Sequence, residues 1–377
     1  MFAQKFLAVL SAMLVFFMPN LALKTSYNTR APEYYAKAGI KNVIYLIGDG
    51  MGPNHLEKTK HDLGIDLAMD TLPYHGRSKT SSLSDIVTDS AAGGTALACG
   101  VRTGNGEVGV YMWDKNAVAT YPMSITELCE ERGMMTGVIT SDSTSGATPA
   151  SFTAHTSARG NEEDISLQQM ASDFDLIWGT ASASVTPEGC EAGGYQYFST
   201  LAEMEALEPG SRSIGQFTEA VWHLDNVNEV TPTLRQMANK AVDLLDDTDE
   251  GFFLMIEGAH IDKRSHANDD AGMVEALQEF DLVVSDMLDY AKADGDTLIV
   301  ISADHETGKI TEQEDGSWMF TRDDHSAMNV PVLVYGSRRL IWDGEVLRNF
   351  EIVTRIAYSL GFTKEQFPRM VKVPEAG

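Results

Sequence analysis

A chain of 377 residues, 43% of them hydrophobic and 22% charged, has the make-up of a soluble globular protein long enough to bury a large core. Acidic residues outnumber basic ones 55 to 28, and the net charge of −27 excludes unguided binding to nucleic acid or anionic membranes. An anionic ligand would need bound cations to reverse that field locally.

The first segment, MFAQKFLAVLSAMLVFFMPNLALK, has one early lysine and then an apolar run from Phe6 to Leu23. A small-residue cleavage site near Ala22, with Pro19 and Asn20 breaking the run, favours a secretory signal peptide over residues 1–23. The competing reading is an uncleaved anchor, since the run is almost long enough to span a bilayer. Export to a periplasm or to the exterior is the expectation. Cys99, Cys129 and Cys190 allow at most one intramolecular pair, and no disulfide is expected to hold the fold.

Further along, KNVIYLI (Lys41–Ile47) is a nearly continuous apolar run typical of a buried parallel strand, and it ends in GDGMG with Asp49 at its exit. VTDSAAGGTALACG follows a polar segment and reads as the start of a helix around Ser90. Asp89 or Ser90 suits an N-cap, while free N–H groups and the helix dipole there also attract an anion. Gly93 and Gly94 would let other backbone or a ligand approach closely. Ser124 to Arg132 predicts a helix stopped by Gly133, Thr136 to Thr140 a strand, and SDSTSGATPASF a loop.

From about Asp173 to Pro232 periodicity is poor, which predicts irregular surface structure with short helices. Pro232 to Asp246 is an amphipathic helix leading to the strand Phe252 to Glu257. A long helix over 268–293 presents Val274, Leu277, Phe280, Val284, Met287, Leu288 and Ala291 on one face. Strands over Thr297–Asp304 and Val330–Gly336 and a helix over 351–360 close the pattern. This alternation predicts an α/β fold, a three-layer sandwich with a central, mostly parallel sheet flanked by helices.

Three strands end in acids: Asp49, Glu257 and Asp304. The carboxyl ends of such strands form the ligand edge of an open α/β sheet, and carboxylates gathered there repel one another unless cations intervene. Asp262 and His266, four residues apart in EGAHIDKRSHAN, could reach one metal, and His305 and His325 stand nearby in ADHETG and HSAMNVP. Imidazole with carboxylate suits zinc, and an all-oxygen set suits magnesium. A single acid at a strand end is more often a cap, and a single histidine more often structural. Five such residues directly after buried strands, beside a serine, favour a metal centre.

GDGMG, TDSAAGGTA, ATPASFTAH, EGAHIDKRSHAN, ADHETG and HSAMNVPV occur in the order found in bacterial and animal alkaline phosphatases, and from about Lys41 to Gly336 the chain resembles that family. The resemblance implies a phosphomonoester hydrolase with Ser90 as the nucleophile, occupying residues 24–377 as one catalytic domain. It implies one zinc on Asp262, His266 and His325 and a second on Asp49, Asp304 and His305. It further implies a magnesium on Asp49, Thr148 and Glu257, with Arg159 gripping the phosphate. Small phosphomonoesters are the implied substrates, with no specific nucleic-acid partner and no membrane span after signal cleavage.

Two positions depart from the family pattern. Gly146 stands where relatives usually carry Asp or His near the magnesium, and Lys263 where some bacterial members also have lysine. One partner of the third cation is thus missing, and the expectation is looser magnesium binding with activity that responds to added Mg²⁺. His325 follows His305 too closely for the large insert that commonly contributes dimer contacts, which counts against an otherwise implied homodimer. Among rival readings, a sulfatase would need a C/S-x-P-x-R signature, and Ala91 and Ala92 follow Ser90 instead. Phosphodiesterases typically lack an equivalent of Arg159. A non-catalytic phosphate or metal binder would need no nucleophile, and a Ser-His-Asp acyl hydrolase would need a G-x-S-x-G elbow that is absent.

Overall fold

Strand β1 (Asn42–Gly48) is buried along its whole length. Its alternation sends Ile44 and Leu46 to one apolar layer and Val43, Tyr45 and Ile47 to another, so the strand lies in a sheet covered on both faces. Each such Ile or Leu contributes about 1.5–3 kcal/mol by leaving water. The computed structural model that reveals this describes residues 29–36, 39–111, 120–218, 221, 223–224, 229–246 and 248–372. The expected signal peptide, residues 1–23, lies outside them.

Along the chain follow β2 (Tyr74–Lys79), β3 (Met135–Ser143), β4 (Leu176–Thr180), β5 (Gln196–Phe198) and β6 (Ser213–Phe217). Then come β7 (Phe252–Gly258), β8 (Thr297–Ser302), β9 (Val330–Tyr335) and β10 (Val346–Arg348). They form one ten-stranded sheet in the order β10-β2-β9-β8-β1-β7-β3-β4-β6-β5. Only β9 runs against its neighbours, β2 and β8; the other pairs are parallel. The mostly parallel three-layer sandwich expected from the sequence is the observed fold.

The helices that build the layers and the site are α1 (Pro53–Leu63), α2 (Ser90–Cys99), α3 (Ile125–Arg132), α4 (Ala147–Thr153), α5 (Leu234–Leu245), α6 (His260–His266), α7 (Asp270–Asp294) and α8 (Asn349–Ser359). Leu56, Leu234, Ile261 and Leu277 bring α1, α5, α6 and α7 onto one face. Leu97, Leu128, Phe152 and Ile356 bring α2, α3, α4 and α8 onto the other. The expected stripe of α7 is buried from Val274 to Ala291, and Asp269 caps its start. Ser124 and Glu127 close a capping box on α3, with Gly133 as its left-handed stop.

Two expectations are corrected. The stretch from 173 to 232 is not merely irregular: β4, β6 and β5 extend the sheet in parallel, with Phe174, Ile177, Tyr195 and Ile214 in a small core of their own. β4 and β6 are five residues long and β5 is three, too short for their period to stand out between turns. SDSTSGATPASF is not all loop, because Ala147 to Thr153 forms α4. Pro149 falls in its first turn, where a missing N–H breaks no helical bond. Cys99, Cys129 and Cys190 are free and buried. Among the described residues no helix is long and apolar enough to cross a membrane.

Candidate active site

The acids that end strands come from three adjacent central strands. β1 lies between β7 and β8, with Ile47 opposite Glu257 on one side and Ser302 on the other. Asp49 therefore leaves the sheet level with Asp304 and two residues beyond the level of Glu257. Gly50 turns the chain with φ of +67°, and a Cβ there would stand 2.7 Å from an Asp262 carboxylate oxygen. Its N–H instead donates to Asp304 Oδ1 at 3.2 Å.

Ser90 opens α2, and the cap is its neighbour. Asp89 Oδ1 accepts the Ala92 N–H at 3.0 Å, while its Oδ2 accepts the Gly106 N–H at 2.9 Å and meets Arg159 Nη1 at 3.4 Å. One carboxylate thus starts the helix and tethers the arginine, leaving Ser90 Oγ free for other work. A Cβ on Gly93 would lie 2.9 Å from the Asp304 carbonyl, so glycine lets α2 settle against the end of β8.

Three oxygen atoms converge on one nitrogen. His305 Nε2 lies 3.2 Å from Ser90 Oγ, 3.2 Å from Asp304 Oδ2 and 3.6 Å from Asp49 Oδ1. The Thr307 hydroxyl donates to Asp262 Oδ1, so at 3.2 Å it accepts from His305 Nδ1, which puts the imidazole proton there. Nε2 then offers a lone pair to carboxylates that also only accept. Among the described residues, Asp49 Oδ1 and Asp304 Oδ2 have no hydrogen-bond partner, although both are buried. A hydrolytic triad would place serine and aspartate on opposite imidazole nitrogens, and here both face the same one.

The second cluster has the same character. His266 Nδ1 donates to the Asp323 carbonyl at 2.7 Å and His325 Nδ1 to the Thr88 carbonyl at 2.9 Å. Their Nε2 atoms, both lone pairs by that assignment, face each other at 3.0 Å. Two nitrogens on one tetrahedral zinc stand about 3.3 Å apart. Asp262 Oδ2 lies 3.5 Å from His266 Nε2, and its Oδ1 lies 3.8 Å from His325 Nε2. At the third corner Glu257 accepts from the Thr140 hydroxyl, and the hydroxyl of Thr148, buried on α4, has no hydrogen-bond partner among the described residues.

The electrostatics agree. Burial, reinforced by the charges of Asp304, Asp262 and Glu257, drives Asp49 well above the usual carboxylate range. Burial likewise raises Asp304, and burial with the Asp142 charge pushes Glu257 to about 8. Burial and the neighbouring His325 drive His305 well below the usual imidazole range. Carboxyls that hold protons beside a histidine that refuses one lack positive charge in a form other than a proton. The residues fit cations.

A family model described as alkaline phosphatase matches residues 40–178 and 182–339. The chain belongs to the alkaline phosphatase family. Phosphomonoesterase activity goes with that membership. The chain is 30% identical to the Escherichia coli (strain K12) alkaline phosphatase over 70% of each chain. It is 32% identical to alkaline phosphatase 4 of Bacillus subtilis (strain 168), covering 73% of this chain and 63% of that one. Among solved structures, the alkaline phosphatase of the Antarctic bacterium TAB5 aligns with a TM-score of 0.76 at 28% identity, over 86% of this chain and 99% of that one. A variant of that enzyme is described with magnesium bound in its M3 site.

Of the residues marked from sequence, Ser90, Asp49, Asp304 and His305 meet at one point, and Asp262, His266 and His325 at another. Glu257 and Thr148 form the third corner, and Arg159 stands half-exposed at the rim beside Asp89. Sequence reasoning missed Thr307, although it lies in ADHETG, and the tethering role of Asp89. It also missed Asp324, whose carboxylate gathers with His266 and His325. Only the folded chain brings these side chains to their partners.

Proposed function

We propose that this chain is a metal-dependent alkaline phosphatase that hydrolyses phosphate monoesters through a phosphoserine on Ser90. The observation that carries it is the convergence of Ser90 Oγ, Asp49 Oδ1 and Asp304 Oδ2 on His305 Nε2, with buried acceptors left unpaired. Asp49, Asp304 and His305 would hold one zinc, Asp262, His266 and His325 another, and Asp49, Thr148 and Glu257 a magnesium. When bound, these cations supply Lewis acidity that lowers the proton affinity of a hydroxyl and neutralises phosphoryl charge.

The chain's own groups do the rest. The Arg159 guanidinium presents two parallel N–H donors to two non-bridging phosphate oxygens, a geometry lysine cannot copy. Asp89 fixes that arginine one residue from the nucleophile. The free N–H groups at the start of α2 add positive potential where phosphate charge concentrates. Ser90 Oγ attacks phosphorus in line, the O–P bond to serine forms, and the bond to the leaving alcohol breaks. Water then attacks the phosphoserine, releasing phosphate and restoring the hydroxyl.

We further propose that residues 24–377 act as one catalytic domain exported to a periplasm or the exterior after removal of residues 1–23. Assembly as a homodimer is tested by sedimentation. For the activity, quenching turnover in acid should leave phosphate on Ser90 in the parent protein and none in Ser90→Ala. Hydrolysis of p-nitrophenyl phosphate should exceed that of its bis-ester and stop with chelator. Turnover without label on Ser90 would sink the mechanism.

A further inference from the structure

Gly146 leaves a carboxylate or imidazole missing from the third-cation corner, and the space it leaves is taken. A Cβ on Gly146 would stand 3.0 Å from Asp142 Oδ2 and 2.9 Å from the Ser143 carbonyl. The backbone there, with φ −53° and ψ 153°, is open to any residue, so strain does not demand the glycine. What a side chain at 146 would meet is the Asp142 carboxylate.

Asp142 reaches this place because β3 breaks register. Pairing with β4 is regular through Ile139 and shifts before Ser143, an irregularity that re-aims the side chains it carries. Gly179 on β4 permits it, since a Cβ there would lie 2.6 Å from the Asp142 carbonyl. The Asp142 N–H donates to Thr140 Oγ1 at 2.8 Å, and the Thr140 hydroxyl donates to Glu257. On its other side the Asp142 carboxylate accepts from Lys263 Nζ, one residue beyond Asp262. A bonded path thus runs from Lys263 through Asp142 and Thr140 to Glu257. Independently, the buried hydroxyl of Thr148, two residues past Gly146, has no hydrogen-bond partner among the described residues.

We propose that Asp142 is a positioning residue for the third cation: it supplies the negative group that position 146 lacks and holds the Lys263 charge away from Glu257. This rests on the phosphatase reading above. Looser magnesium binding followed from residue 146 alone, and Asp142 supplies from four residues earlier what the glycine does not. The two partners then have opposite signs. Losing the Asp142 charge removes an attraction and frees a cation to repel the ion, whereas losing Lys263 removes a repulsion.

The test is calorimetric titration of Mg²⁺ into protein stripped of metal and reloaded with two equivalents of zinc. D142N should raise the magnesium Kd about 10- to 100-fold, the usual effect of removing a group that orients metal ligands, and D142E should recover part of it. K263M should leave the Kd unchanged or lower it. A Kd for D142N equal to the parent's overturns the proposal, as does K263M weakening magnesium as much as D142N, the mark of a structural brace. Zinc content and acid-trapped phosphate on Ser90 are read on the same samples. Absence of label in the parent would overturn the phosphatase reading, and the calorimetric comparison would still decide the role of Asp142.

Discussion

Carboxylates are buried in two regions of this molecule under opposite terms. Near β10, Glu345 receives Arg355 of α8 in a two-pronged ion pair, with Nη1 to Oε2 at 2.9 Å and Nη2 to Oε1 at 2.8 Å, and Arg355 Nη1 also reaches the Leu340 carbonyl at 2.7 Å. At the carboxyl ends of β1, β7 and β8, Asp49, Asp304 and Glu257 are equally buried, yet no lysine or arginine pairs with them among the described residues. Desolvating a carboxylate is costly unless it is neutralised. The fold meets that cost internally in the first region and leaves it to a cation in the second. A buried acid with its own arginine is structure. One whose neighbours are other acids and lone-pair nitrogens is a binding site.

The comparison can be broken in three ways, the largest effect first. Arg355→Met should strand the Glu345 charge in the core and lower stability by about 3–5 kcal/mol, while activity per folded molecule stays near the parent value. Denaturant melts and active-site counting on one preparation would check this. Equal loss of kcat per folded molecule would show that the two regions are not independent. Arg159→Lys acts at the other region alone. With the two-pronged grip lost, kcat/KM should fall about 10- to 100-fold with no change in the melt. An unchanged kcat/KM would remove Arg159 from phosphate binding.

The smallest effect is on pH dependence. In metal-free protein Glu257 holds its proton to about 8, far above the ordinary glutamate value near 4.5, and Asp49 and Asp304 are raised as well. A carboxyl raised in the folded state gives stability that is fully present below its unfolded pKa and is lost as pH rises through its folded one. The Tm of chelated protein should therefore fall by a few degrees between pH 5 and 9, by the reasoning for such raised groups. The metal-loaded protein, whose carboxylates stay ionised against cations, should not follow. Under chelator at the alkaline end, Glu257→Gln should raise Tm and Glu345→Gln should lower it. Calorimetry with and without chelator measures this, and a shared sign for the two substitutions would end the comparison.

Much of this was legible in the chain itself. The unbroken apolar runs of β1, β7 and β8 announce strands covered on both faces, because only such strands have no polar alternation to show. Acids placed directly after them mark the ligand edge, and the order of the short motifs around Ser90, Asp262 and His305 specifies the family. The stop at Gly133 could be read because helix termination depends on residues only a turn apart. The length of β4, β5 and β6 hid them, since three to five residues carry too little period to separate from a turn.

Tertiary structure alone decided which groups meet. Thr307 sets the tautomer of His305 because its hydroxyl is already given to Asp262, and no local spacing encodes that contact. Asp89 serves both Ala92 and Arg159 because the chain returns seventy residues later. Asp142 occupies the place beside Gly146 only because β3 slips its register against β4. Sequence fixes propensity and period over a few residues, so it determined the layers and the identity of the chemical groups. Distances between side chains from remote segments depend on packing of the whole sheet, and those distances turn a set of acids and histidines into a site.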